Sequence, residues 1–365
     1  VIPVYKPLIG QRERDYVLQA LESTWISSRG EFLDRFEREF PDYLGSKHGI
    51  ATCNGTVSLH LALVALGIGP GDEVIVPTLT YVASVNAIAY TGATPVFVDA
   101  HPTYWNLDPA LVEEQVTPRT KAIMVVHLYG HAADMDPIMA VAEKHGIHVI
   151  EDAAEAHGAT YKGRTVGTFG IAGSFSFFGN KIITTGEGGM VVTDDEAFAD
   201  TCRHLRGQGV SPTRTYWHDV IGFNYRMTNL AAAIGVGQLE HIEQTLAAKR
   251  RIADRYRSAL ETVSGVSFQP EMEWAANVYW MVSVLVDPSL RDELMSFLRD
   301  HGVDSRPFFY PAHTLPMYQS DQSFPVAERV GASGINLPSF PDLTDAEVDT
   351  VCELVARFMA RRADV

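Results

Sequence analysis

Apolar residues recur along this chain with two different periods. Residues 56–66 place apolar side chains three and four apart, which predicts a helix. Glu73-Val-Ile-Val76 follows the turn Gly69-Pro70-Gly71-Asp72 and predicts a short buried strand. Residues 81–90 return to helical spacing, and Pro95-Val-Phe-Val98 to strand. Ala122-Ile-Met-Val-Val126 and His148-Val-Ile150 are two more apolar runs. Between them residues 137–145 predict a helix, with Asp136 as its N-cap and Pro137 at its first position. Alternation of this kind, from Lys47 to about Asp195, predicts an α/β fold with a mostly parallel central sheet flanked by helices. Ligands of such sheets sit at the carboxyl ends of the strands.

After Thr228 a long helical stretch is expected to about Val263, with Arg250, Arg251 and Arg255 on its polar side. The composition then shifts. Residues 279–286 predict a strand, and residues 291–301 and 345–359 predict helices. We therefore expect a large α/β domain over residues 1–240 and a smaller α+β domain over residues 241–365. Residues 1–30, with a helix over 12–22, are candidates to pack on the smaller unit.

A chain of 365 residues, 46% hydrophobic and 20% charged, can bury a core large enough to enclose a pocket. Its net charge of −16 repels nucleic acid and anionic membrane surfaces. A phosphorylated ligand would thus need a local cradle of backbone N–H groups and a few basic side chains. Cys53, Cys202 and Cys352 are odd in number and far apart, with neither disulfide nor metal spacing, so a reducing cytoplasm is expected. The opening Val1-Ile-Pro-Val-Tyr5 has no basic region or apolar signal core, and no apolar run is long enough to cross a bilayer.

Three stretches carry chemistry. Ser174-Phe-Ser-Phe-Phe-Gly-Asn-Lys181, before Thr184-Thr-Gly-Glu-Gly-Gly189, brings a lysine from an aromatic strand to a glycine-rich bend. Desolvation there lowers an amine's pKa and makes it a nucleophile. The bland alternative is an exposed lysine beside a turn. In Val149-Ile-Glu-Asp152-Ala-Ala-Glu155, a buried strand ends in a carboxylate that could hold a protonated pyridine nitrogen, or merely cap a helix. Cys53-Asn-Gly55-Thr56 opens a helix whose free N–H groups suit a phosphate, with Thr56 and Ser176 hydroxyls as further donors. Ordinary capping by Asn54 would explain the same residues. Tyr81, just past a strand, could stack on a flat ring or sit in the core.

Read together, these motifs resemble the DegT/DnrJ sugar aminotransferases, fold-type I enzymes dependent on pyridoxal 5'-phosphate (PLP). The resemblance covers nearly the whole chain. It implies Lys181 as the Schiff-base lysine and Asp152 as partner of the ring nitrogen. It places Tyr81 and Ala154 on opposite ring faces, and Gly55, Thr56 and Ser176 on the phosphate. Many members carry Gln where this chain has Glu155, which would face the cofactor's phenolic oxygen. The family pattern Gly-x-Asn-x-Arg stands here as Gly222-Phe-Asn224-Tyr-Arg226. It implies that Asn224 reaches the phosphate across a homodimer with shared sites. The implied activity is amino transfer from L-glutamate, by way of pyridoxamine 5'-phosphate, to C4 of a nucleotide-linked 4-keto-6-deoxy sugar. GDP-4-keto-6-deoxy-D-mannose is the expected acceptor; UDP- and dTDP-linked ketosugars stay open. Arg29, Arg226, Arg306, Tyr310 and His313 are candidates to contact that substrate.

Other readings compete less well. The cluster Gly67-Ile-Gly69-Pro-Gly71 follows a helix and leads into a strand, the reverse of a dinucleotide fingerprint. His127, His131 and Asp134 could suggest a metal but lack further ligands. A non-catalytic PLP-binding regulatory protein remains as a reading of a different class.

Overall fold

The computed structural model describes residues 1–363. Two N-terminal helices, α1 (Gln11–Glu22) and α2 (Glu31–Leu44), precede the alternating region. There β1 (His48–Thr52), α3 (Gly55–Ala65), β2 (Glu73–Pro77), α4 (Val82–Tyr90), β3 (Thr94–Val98) and β4 (Thr120–Val126) follow one another. Next come α5 (Met135–His145), β5 (His148–Asp152), the small hairpin β6 (Thr160–Tyr161) and β7 (Arg164–Thr165), then β8 (Ala172–Ser176) and β9 (Gly189–Thr193). Helices α6 (Glu196–Arg206), α7 (Asn229–Leu239) and α8 (Ile242–Leu260) lead into the C-terminal region. That region comprises β10 (Ser267–Phe268), β11 (Ala275–Ala276), β12 (Val282–Leu285), α9 (Pro288–Asp300), β13 (Arg306–Pro307), α10 (Pro325–Ser333), β14 (Gly334–Leu337) and α11 (Asp345–Ala363).

Seven strands form the central sheet in the order β1-β9-β8-β5-β4-β2-β3. β3, β2, β4, β5 and β8 pair in parallel, and β9 runs antiparallel to both of its neighbours. β1 therefore points the same way as the other five. Every residue of β2, β8 and β9 is buried, as expected for strands covered on both faces and read from uninterrupted apolar runs. The carboxyl ends of β1, β2, β4, β5 and β8 thus lie along one edge.

A second, antiparallel sheet, β10-β12-β14-β13, has its own core with Ile252, Tyr256, Leu294, Leu298, Val351 and Val355. We propose the boundary between two units at residues 240/241, where α7 has ended and α8 is about to begin.

Three details differ from the sequence expectations. The helical stretch after Thr228 is two helices, because His241 leaves helical geometry at φ −114°, ψ 6°. Gly235 and Gly237 let α7 press on α2 and α1: an added Cβ would stand 2.8 Å from Phe36 and 3.0 Å from Glu13. The α5 helix begins two residues early, after Asp134, whose carboxylate accepts from the Tyr161 hydroxyl (2.7 Å) while Asp136 pairs with Lys162. And α1 packs on α7, where Gln238 donates to Glu13, while the first residues reach the C-terminal unit, through Ile2 on Gly302 and Val4 on Ser339.

Candidate active site

Five strand ends and one helix start meet at the sheet edge. β1 passes through Cys53 and Asn54 into α3, and the Asn54 side chain caps that helix by accepting from Val57 N (3.0 Å). Gly55 stands against the end of β8: a Cβ there would lie 2.6 Å from the Ser176 Cβ. Only glycine lets the helix start and Ser176 approach this closely. Free N–H groups of the first turn and the hydroxyls of Thr56 and Ser176 then surround one spot, suited to an anion.

β5 ends in Asp152, which is buried. Its Oδ2 accepts from Ser84 Oγ (2.7 Å) and its Oδ1 from Ala154 N (3.1 Å). Burial pushes this carboxyl above the usual range, while those donors and Lys181 oppose the shift. Three residues on, Glu155 Oε2 accepts from the N–H of Tyr129 (2.8 Å), a residue held at φ 57°. Glu155 Oε1 lies 3.7 Å from Lys181 Nζ. Burial raises the Glu155 acid to about 7. It also depresses the Lys181 amine, whose side chain is 11% exposed, against the pull of Glu155 and Asp152. Both members of the pair thus move toward their uncharged forms, which suits an amine that must act as nucleophile and base.

These groups open into one cavity of about 550 Å³, lined among others by Gly55, Thr56, Tyr81, Asp152, Ala154, Glu155, Ser176 and Lys181. All the sequence candidates for cofactor contact except Asn224 are there. Asn224 is exposed, bonded to Arg226, and outside the cavity. Arg226 lines a separate hollow with Cys53 and Met227, and exposed Arg29 lines neither. Arg306 and Tyr310 line a second cavity of about 770 Å³, which shares Thr80, Tyr81, Phe178, Asn180, Trp280 and Phe309 with the first. His313 is placed away from both cavities. It is 4% exposed, and its Nδ1 is bonded to Thr78 Oγ1 (2.7 Å) and its Nε2 to Glu328 (3.3 Å). Both ring nitrogens are engaged, so none is left for a sugar.

His127 and His131 also have occupied nitrogens. Ala133 N donates to His127 Nδ1, which leaves Nε2–H to donate to the buried Glu151 (3.0 Å). Met272 N donates to His131 Nε2, and His131 Nδ1–H donates to Ala132 O. Among the described residues no cluster of metal-ligating side chains forms.

Several residues of the site went unread in the sequence. The Trp280 ring centroid is 3.9 Å from Lys181 Nζ. Ser84 holds Asp152, and the Tyr5 hydroxyl donates to the Lys181 carbonyl (2.6 Å). Trp280 looks like core in an apolar run, and Ser84 like the polar side of a helix. Only the small hydroxyl one turn after Tyr81 offered a signal.

The Glu155 shift has a measurable consequence. An acid raised on folding contributes stability that is complete below its ordinary value near 4.5 and is lost as pH rises through about 7. Glu155→Gln removes that titration. Melting of the cofactor-free protein between these pH values should therefore fall less steeply in the variant than in wild type. Parallel curves would place the titration elsewhere.

An amine facing a buried carboxylate, with an anion cradle on the same cavity, fits a phosphorylated pyridine aldehyde such as PLP. Comparison with known proteins points the same way. The chain matches the DegT/DnrJ/EryC1/StrS aminotransferase family over residues 7–356. It is 52% identical over 359 residues to the GDP-perosamine synthase of Escherichia coli O157:H7, covering 98% of each chain. It is 51% identical to that of Caulobacter vibrioides, covering 96% of each. The PLP form of Spr1654 from Streptococcus pneumoniae superposes with a TM-score of 0.94 at 28% identity, over 99% of each chain. The chain belongs to the DegT/DnrJ/EryC1/StrS aminotransferase family.

Proposed function

We propose that this chain transfers the amino group of L-glutamate to C4 of GDP-4-keto-6-deoxy-D-mannose, giving GDP-perosamine, with PLP as its cofactor. The observation that carries the reading is the single cavity shared by the Lys181 amine and the Asp152 carboxylate. Likeness to GDP-perosamine synthases over the full chain supports the choice of acceptor.

PLP, when bound, supplies an electron sink for the charge that develops at the amino acid's α-carbon. Lys181 would carry the cofactor, and its released Nζ would take the proton from that carbon and deliver it to the cofactor's C4′ carbon. Asp152, fixed by Ser84 and Ala154 N–H, would hold the proton on the ring nitrogen. Gly55, Thr56 and Ser176 would hold the phosphate, Tyr81 and Ala154 would cover the ring, and Glu155 would face the phenolic oxygen. The adjoining cavity would take the nucleotide sugar, with the Arg306 guanidinium for the diphosphate and Phe178, Phe309 and Tyr310 as apolar walls. GDP-, UDP- and dTDP-linked 4-ketosugars offered with L-glutamate, with products read by mass spectrometry, test the reading. Amination of the GDP sugar in preference to the others is expected; amination of none refutes it.

The working form in this reading is a homodimer that completes each site with Asn224 of the other chain. Support comes from the segment around Asn224, where Tyr216 and Ile221 are each 93% exposed and Trp217 stands beside them. Mixing denatured Lys181→Ala and Asn224→Ala proteins and refolding them should restore activity. Random pairing repairs one site in each mixed dimer, so about a quarter of wild-type activity is expected. No recovery would exclude shared sites. We place the protein in the cytoplasm. All three cysteines are free, and no helix among the described residues is long and apolar enough to cross a membrane.

A further inference from the structure

The buried ammonium of Lys249 has no part in the chemistry above. It lies on α8, is 1% exposed, and points at three uncharged oxygens. Nζ donates to Trp280 O (2.7 Å), to Ser339 O, and to Ser339 Oγ (3.3 Å). Three acceptors match the three N–H bonds of an ammonium. Burial alone depresses the amine, to about 7. Burying a lysine without a carboxylate partner is costly and calls for a return.

Its contacts lead by two routes to adjacent residues of the reactive segment. Through the Trp280 carbonyl, Lys249 fixes the chain just after Tyr279, which sits at φ 49° with its N–H on Asn277 Oδ1 (2.7 Å). From there the Trp280 indole N–H donates to the Asn180 carbonyl (2.7 Å), and the ring lies against the Lys181 amine. The second route is the N-terminal segment. Ser339 N donates to Val4 O (3.2 Å), the Tyr5 ring lies 5.5 Å from Lys249 Nζ, and the Tyr5 hydroxyl donates to the Lys181 carbonyl. Two consecutive carbonyls, Asn180 and Lys181, are thus each held by the side chain of an aromatic residue that Lys249 anchors, Trp280 at its backbone carbonyl and Tyr5 beside its ring.

We propose that Lys249 is a positioning residue for Lys181, fastening Trp280 and Tyr5 so that they clasp the backbone at Asn180 and Lys181 and hold the amine in its reactive place. The proposal rests on the reading of Lys181 as the amine that carries PLP.

The test is the rate at which the full-length, cofactor-free protein captures added PLP, followed by visible absorbance, with circular dichroism as a check of folding. Lys249→Met keeps the bulk and removes the charge. It should slow capture about tenfold, in the range of energetic coupling through a packed network. Tyr5→Phe and Trp280→Phe should each slow capture as well. Adding Lys249→Met to the Tyr5→Phe, Trp280→Phe pair should cost little more, because the pair already cuts both routes through which Lys249 acts. A folded Lys249→Met protein that melts earlier but captures PLP at the wild-type rate would overturn the proposal, as would effects that simply multiply. Should Lys249→Met not fold, the Tyr5→Phe, Trp280→Phe protein decides. Slowed capture supports the connection, and unchanged capture leaves Lys249 nothing to act through. Wild-type protein that gains no visible absorbance with PLP would refute the earlier reading of Lys181 instead.

Discussion

Lys181→Ala is expected to fold normally and to lose roughly 10³- to 10⁴-fold in turnover, the scale of a removed general base. Lys181 is the only lysine lining the cavity among the described residues, so no other amine can replace it. Glu155, 3.7 Å from Nζ, is the nearest substitute base. Its Oε2 is tied to the Tyr129 N–H, and losing the Lys181 charge removes one of the influences that keep its acid from rising further. Borohydride treatment should fix PLP to the wild-type protein and not to the variant, as read by intact mass. A small primary amine in the buffer should restore part of the rate, since truncation leaves room where the side chain stood. Full turnover without added amine, in protein free of wild type, would remove Lys181 from the mechanism.

What could be read beforehand follows from where the information lies. The parallel sheet is legible because its strands are short apolar runs between turns, and each run carries its own signal. Lys181, Asp152 and Gly55 are legible because each sits at or just beyond a strand end, where the fold delivers polar residues to one edge. Trp280 and Tyr5 are different. They reach Lys181 from about 100 and 176 residues away in the chain, and nothing local distinguishes them from core. The placement of His313 was hidden for the same reason, since its partner Thr78 is 235 residues distant. The break at His241 escaped notice because it contains no proline or glycine, and helical spacing continues on both sides. Asn224 would act on a second chain, and only the family resemblance suggested its role.

Asp152→Asn should be nearly as damaging as loss of Lys181, with roughly a 10³-fold fall in kcat, comparable to removing a preorganised electrostatic contact. The substitution keeps the shape of the side chain. Its amide oxygen can still accept from Ala154 N–H, and its NH₂ can face Ser84, whose hydroxyl turns to accept. The fold therefore has little reason to change, and the loss would report charge alone. A neutral amide cannot favour a proton on the ring nitrogen as a carboxylate does. Ser84→Ala separates this from a purely scaffolding role. It removes one donor from a charged acceptor, an interaction worth about 1.5–3 kcal/mol. It leaves the carboxylate in place but raises its pKa further in a site where burial already raises it. Ser84→Ala should thus slow turnover about tenfold. With Asp152→Asn present, the same substitution should add little, since no charge remains for Ser84 to support. If the two changes instead proved equal and independent, position 152 would serve only to hold β5 in shape, and the acid partner of the cofactor would have to be sought elsewhere in the cavity.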